Sequence, residues 1–252
     1  MKKLTFALLA LTMLHTQAIA SESKHHKQIN WPFDGALGKV ERQSAQRGFQ
    51  VYKEVCAACH GLNRVAFRTL SGIGFSEAEI KALSAEYQVQ DGPNDEGEMF
   101  KRPGKPSDKF VPPFANDNAA QAANGGAIPP DLSLIIKSRH DGANYLYSLM
   151  TGYDEPVPAG EEVPDGMYYN PYFINGHLLR MPAPLTAGRV TYMDGTEASV
   201  DQMAYDVVNF LQWAAEPEME ERKHMGIKVM IFLFIMTGLL WIAKKRVWKK
   251  LH

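Results

Sequence analysis

The chain is poor in cysteine: only Cys56 and Cys59 occur among its 252 residues. Two thiols cannot build a disulfide framework, and they cannot complete a Cys₄ or Cys₃ zinc site. The sequence also lacks H-E-x-x-H, G-x-S-x-G and any phosphate-binding glycine loop. No hydrolase or nucleotide chemistry is therefore legible in it. There is no internal repeat. Acidic residues are missing from the C-terminal end: all 28 fall between positions 21 and 227. Lys and Arg are missing between Asp141 and Leu179, a stretch that carries Asp141, Asp154, Glu155, Glu161, Glu162 and Asp165. The hydrophobic share of 45% excludes disorder as the default state.

The absences at the two ends frame two apolar runs. Lys2 and Lys3, the run 4–14 and the small-x-small triplet Ala18-Ile19-Ala20 have the order of a secretory signal, so 1–20 is set apart from the fold. Residues 225–243 form a second apolar run, close to the ~20 residues that a helix needs to cross a bilayer. Lys244, Lys245, Arg246, Lys249 and Lys250 follow at once. A basic cluster beside a span marks the cytoplasmic side, so 244–252 is expected inside and 21–224 in the periplasm. The signal points to the same orientation: a single-pass protein of the bacterial inner membrane. Between 21 and 227, 19 Lys and Arg against 28 acids leave a net charge of −9. Such a head favours basic partners and repels nucleic acid.

The sharpest motif is Cys56-Ala57-Ala58-Cys59-His60. Two thiols on one helical turn can add to the two vinyl groups of a haem, and the adjacent histidine then reaches the iron. A redox dithiol needs no such histidine, and the upstream stretch reads as helix rather than strand. Twelve methionines are present. Met181 stands between prolines in Leu179-Arg180-Met181-Pro182-Ala183-Pro184-Leu185, a stiffened loop that suits a fixed thioether. Spacing alone leaves Met150, Met167 and Met193 open beside it. Arg139 and Tyr145 are candidates for holding haem propionates, and an ordinary surface pair reads equally well.

The head reads as mainly α. Helices are expected over 41–58, from a Ser76 capping box to 87, over 142–151, and from a cap at Ser199 through Trp213. A small hairpin is expected at 188–195. Long loops are expected over 91–118 and 151–171. The acidic run 141–179 reads either as a solvated loop or as a docking patch for a basic electron carrier.

Together these residues resemble cytochrome c1, the haem subunit of quinol–cytochrome c reductase (bc1) complexes. The resemblance rests on Arg47 to Val55 leading into the CAACH motif, and on Asn124-Gly125-Gly126-Ala127 with Pro129-Pro130-Asp131-Leu132-Ser133. It rests also on Tyr168-Tyr169-Asn170-Pro171-Tyr172-Phe173, Asp194-Gly195-Thr196, Trp213-Ala214-Ala215-Glu216-Pro217-Glu218 and the single C-terminal anchor. It implies a class I cytochrome c-like domain with long loop insertions. It implies one covalent haem c at Cys56 and Cys59, with His60 and Met181 as axial ligands and Arg139 and Tyr145 near a propionate. The implied partners are cytochrome b, the Rieske iron–sulfur protein as donor, and a soluble or tethered cytochrome c as acceptor. Ala183 stands where many relatives have a second consecutive proline. Such a subunit makes and breaks no substrate bond itself. Readings outside this family are a free tethered carrier, a haem ligand sensor or peroxidase, and a dithiol chaperone.

Overall fold

A computed structural model describes residues 24–249. The expected signal, 1–20, and the last residues of the basic tail lie outside the described residues.

Two helices make the frame of the head. Helix α1, Arg42–Val51, crosses α5, Val200–Ala215, at Gly48. A Cβ on Gly48 would sit 1.9 Å from the backbone oxygen of Asp206, so only glycine allows this approach. The crossing is locked by charge. The Arg47 guanidinium donates to both Asp206 oxygens (2.9 and 3.0 Å) and to Asp194 (2.9 Å), while Ser44 Oγ donates to Asp206 Oδ1 at 2.7 Å. Asp206 is fully buried, and these bonds are what make its burial tolerable. Around the crossing, Phe49, Phe67, Phe110 and Phe210 pack edge to face or tilted, with Tyr52 and Tyr87.

The remaining elements dress this frame. A 3₁₀ helix, Phe67–Ile73, leads to α2, Glu77–Ala85, which opens on the expected capping box of Ser76 and Glu79. Helix α4, Gly142–Met150, packs on α5. The segment from Lys24 to Val40 is a strap over α4 and α5. Trp31 stacks between Phe33 and Tyr205 and donates its indole N–H to Asn144 at 2.8 Å.

Three expectations need correction. The helix expected over 41–58 leaves α geometry at Val51 and continues as a π turn, Tyr52–Cys56, closed by Ala57 N–H to Tyr52 O at 2.8 Å. The hairpin expected at 188–195 has no ladder. One bond from Gly188 N–H to Ala198 O closes it as a loop, and Asp194 pairs with Arg47 as well as with Thr196 N–H. The loop expected over 91–118 contains a strand. β1, Gln88–Asp91, pairs antiparallel with β2, Phe100–Pro103, and α3, Asp117–Ala123, begins before the loop's end. A second short pair, β3 (Tyr168–Tyr169) with β4 (Leu178–Leu179), precedes Met181.

Helix α6, Met219–Trp248, is longer than the expected span of 225–243. Its window of highest mean hydropathy, 2.1, is unburied, which fits a membrane rather than a protein core. Its first turns belong to the head. Met219 is buried, Glu220 accepts from Val40 N–H, and Lys223 donates to the carbonyls of Phe33 and Gly38. At the far end Lys245 lies 3.8 Å from the Trp241 ring centroid. A lysine folded onto an interfacial indole is what a membrane surface favours there.

Candidate haem site

The CAACH motif lies at the end of the α1 extension. The π turn widens the backbone, and the bonds of Cys59 N–H (3.1 Å) and His60 N–H (2.9 Å) to Cys56 O then wind the motif into one tight turn. Single π turns of this kind recur at functional sites. Tyr52, fully buried, ties the turn down by donating to the His60 carbonyl at 3.1 Å.

His60 has its orientation fixed from behind. Its Nδ1 lies 2.8 Å from the Pro130 carbonyl oxygen. A carbonyl only accepts, so Nδ1 carries the proton and Nε2 keeps a free lone pair. Metal-bound histidines are held in this way, with the second nitrogen on a carbonyl or carboxylate. Burial also pushes the His60 pKa down and keeps the ring neutral. The loop that supplies Pro130 is itself clamped to the motif. Leu132 N–H donates to Gly61 O (2.9 Å), and Asp131 accepts from Asn63 N–H (2.8 Å). Gly125 and Gly126, both at positive φ, end α3 and send the chain toward these prolines.

The thiols are unpaired, Cys59 exposed and Cys56 half-buried. Burial pushes the Cys56 thiol up to about 12. A thiol that attacks disulfides needs the opposite shift, so the setting of Cys56 does not activate it as a nucleophile.

Met181 packs against the edge of the core, just after β4. Its carbonyl accepts from Tyr153 Oη at 3.0 Å. Burial raises the Tyr153 phenol well above its ordinary range, so it stays a donor at any physiological pH. Among the alternatives, Met193 is almost wholly exposed and stands outside the core. Tyr145 is buried, contrary to a surface pair. Arg139 is close enough to its phenol to oppose the upward shift that burial causes. The His26 ring lies 5.4 Å from the Tyr145 ring.

Sequence reasoning missed three contributors. Pro130 was visible only as part of a recurring motif, because its role is played by a backbone oxygen. Tyr52 and Tyr153 carry no local signal: each acts through a hydroxyl on a distant carbonyl.

The donor set, two free thiols, an imidazole with one committed nitrogen and a methionine tied by its backbone carbonyl, fits a covalent haem c. Comparisons with known proteins agree. The model of the Cytochrome C1 family matches residues 31–251. Cytochrome c1 of Rhodospirillum rubrum is 49% identical over 239 residues, covering 89% of this chain and 87% of that protein. A mitochondrial cytochrome c1 heme protein of Solanum tuberosum is 52% identical over 225 residues, covering 88% and 85%. The cytochrome b/c1 of Bradyrhizobium diazoefficiens is 48% identical over 243 residues, and there the chain spans only 35% of the longer protein. The chain belongs to the cytochrome c1 family, the membrane-anchored subunits that bear one covalent haem c and transfer electrons in bc1 complexes.

Proposed function

We propose that Cys56 and Cys59 would hold the haem by thioethers, and that His60 Nε2 and Met181 Sδ would ligate its iron. When bound, the haem supplies a one-electron iron couple. The chain's own residues set its surroundings. Pro130 O holds the imidazole in the tautomer that ligates, Tyr153 anchors the Met181 backbone, and Arg139 with Tyr145 offers a cation and a phenol to propionates. A methionine ligand gives a higher potential than a second histidine, which suits a donor–acceptor relay.

The electron donor is the Rieske iron–sulfur protein, and the acceptor is a soluble or tethered cytochrome c. Cytochrome b holds the anchor. The head lies in the periplasm and the basic tail in the cytoplasm. The acidic run 141–179 is the docking patch for a basic acceptor, since opposite surface charge raises the association rate.

The observation that carries this reading is the 2.8 Å contact of His60 Nδ1 with Pro130 O, which leaves Nε2 free beside the two thiols. The test is an optical spectrum of the detergent-extracted protein, oxidised and reduced, with a pyridine haemochrome and the Met181→Leu variant alongside. A c-type haemochrome with a red methionine–iron band that the variant loses is the expected result. No covalent haem sinks the assignment. An unchanged variant moves the sixth ligand elsewhere, and carbon monoxide binding to the reduced wild type means an open iron site.

A further inference from the structure

Where the head meets α6, two hollows share Arg222 and Lys223. The upper is a cleft of about 440 Å³, bounded by Trp31, Phe33 and Asp34 of the strap, the first residues of α4, and Gln212 of α5. The lower is an apolar groove of about 380 Å³ along α6, lined by Gly226, Ile227, Met230 and Ile231 with Ala36. From Lys223 to Ile231 this groove runs ~12 Å down the helix. Gly226 keeps it open: a Cβ there would meet nothing within 4 Å.

The charges of the cleft are sorted. Lys137 and Arg222 are both spent on Glu216, and Asp141 lies 3.3 Å from His26 Nδ1 and accepts from Gln28 and Asn144. Two charges remain. Lys223 is held only by the neutral carbonyls of Phe33 (2.6 Å) and Gly38 (3.2 Å). The Asp34 carboxylate has no partner among the described residues, and it is the sequence neighbour of Phe33. Helix α4 begins in the same wall at Asp141, whose carboxylate makes no capping bond to the helix backbone. Gln212, nine-tenths buried, faces the cleft and gives its amide only to the Met219 sulfur at 3.6 Å, a weak acceptor.

We propose that these hollows form one site for a zwitterionic phospholipid with a primary ammonium, of the phosphatidylethanolamine class, from the leaflet on the head's side of the membrane. The phosphate lies against Lys223. The ammonium lies against Asp34, with the Gln212 carbonyl within the same cleft. One acyl chain follows the Gly226 groove. A single uncompensated cation beside a single uncompensated anion matches this headgroup and disfavours a purely anionic one. The continuity of the cleft with a membrane helix supplies the rest of the lipid. The proposal rests on α6 being the anchor and is independent of the axial ligands.

The test uses the full-length, haem-loaded chain in detergent, read by native mass spectrometry. Palmitoyl-oleoyl phosphatidylethanolamine is titrated against phosphatidylglycerol with the same chains and against glycerophosphoethanolamine, which has the headgroup without tails. One phosphatidylethanolamine per chain is expected, bound at least tenfold more tightly than either competitor. Asp34→Asn should erase the preference over phosphatidylglycerol. Gly226→Leu, which fills the groove without touching the head, should weaken both lipids at least fivefold. Equal binding of phosphatidylglycerol, an unaffected Asp34→Asn, or equal binding of the tail-free headgroup overturns the proposal. Loss of the lipid on assembly with cytochrome b does so too, in favour of a protein occupant. The haem spectrum of the same samples stays unchanged in both variants; a spectrum lacking covalent haem would count against the electron-transfer reading instead.

Discussion

His60 and Met181 stand on different kinds of structure. His60 follows directly from α1, whose crossing with α5 is closed by a glycine, a buried carboxylate and a cluster of aromatic rings. Met181 follows a two-residue strand and a run of loop, and one tyrosine hydroxyl ties its carbonyl. The proposed histidine ligand is held by packing that cannot shift without separating two helices. The proposed methionine ligand packs only on the edge of the core and is tied there by one polar bond in a proline-stiffened loop. A haem site built this way has one rigid face and one adjustable face. Substitutions in the frame should therefore cost stability, and substitutions in the inserted loops should change ligation first.

The largest effect is expected at Asp206. Asp206→Ala leaves the Arg47 guanidinium without its main partner and strips Ser44 of its acceptor. Removing one partner from a buried pair costs about 3–5 kcal/mol. Chemical unfolding of the haem-loaded protein should show that loss with the spectrum of the folded form unchanged; a loss below ~1 kcal/mol would mean that the crossing does not depend on this network. Gly48→Ala comes next. Its Cβ meets backbone rather than a movable side chain, so the helices must part, at about 1–3 kcal/mol. Unchanged stability there would show that the crossing is looser than its geometry implies.

Tyr153→Phe tests the adjustable face. It removes one hydrogen bond, for a net ~1 kcal/mol of global stability. The methionine–iron band should weaken at denaturant concentrations where the frame is still folded. Simultaneous loss of both signals would erase the distinction between the faces.

The frame was legible in the sequence because its signals are local. The Ser76 and Ser199 caps, the apolar spacing of α5 and the CAACH motif each act within a few residues. The π turn was not legible, because it arises where Tyr52 reaches forward to the His60 carbonyl while staying inside the aromatic core. The failed hairpin at 188–195 keeps its turn, with Gly195 N–H on Tyr192 O (3.2 Å) and Thr196 N–H on Asp194 Oδ1 (3.0 Å), while Arg47, 147 positions away, holds the other carboxylate oxygen. The true hairpin, β1 with β2, lacks alternating apolar residues and is set by a polar cluster instead. Tyr145 shows the limit at the site itself. Nothing near it in sequence distinguishes a buried phenol from a surface one; α4 packing on α5 decides it.

The smallest effect is expected in that hairpin, and it separates polar from apolar support most cleanly. Arg102 pairs with Asp91 and with Asp108 (2.6 Å), and Asp108 also accepts from Lys105 N–H at 2.8 Å. The Arg102 guanidinium holds the Asp108 carboxyl down at about 2. A depressed folded pKa means stability that is fully present above the unfolded value, ~4, and is lost as pH falls through about 2. The groups are only partly covered, so solvent screening keeps the effect small. Protection of the β1–β2 amides against hydrogen exchange, taken relative to intrinsic rates, should fall between pH 4 and pH 2, and Asp108→Asn should remove that excess loss. The α1 and α5 amides should show no such step in that window from this cause, since their protection comes from burial. A step of equal size in frame and hairpin, or an excess that survives Asp108→Asn, would mean that the insertion unfolds only with the frame, and that the two regions are one cooperative unit.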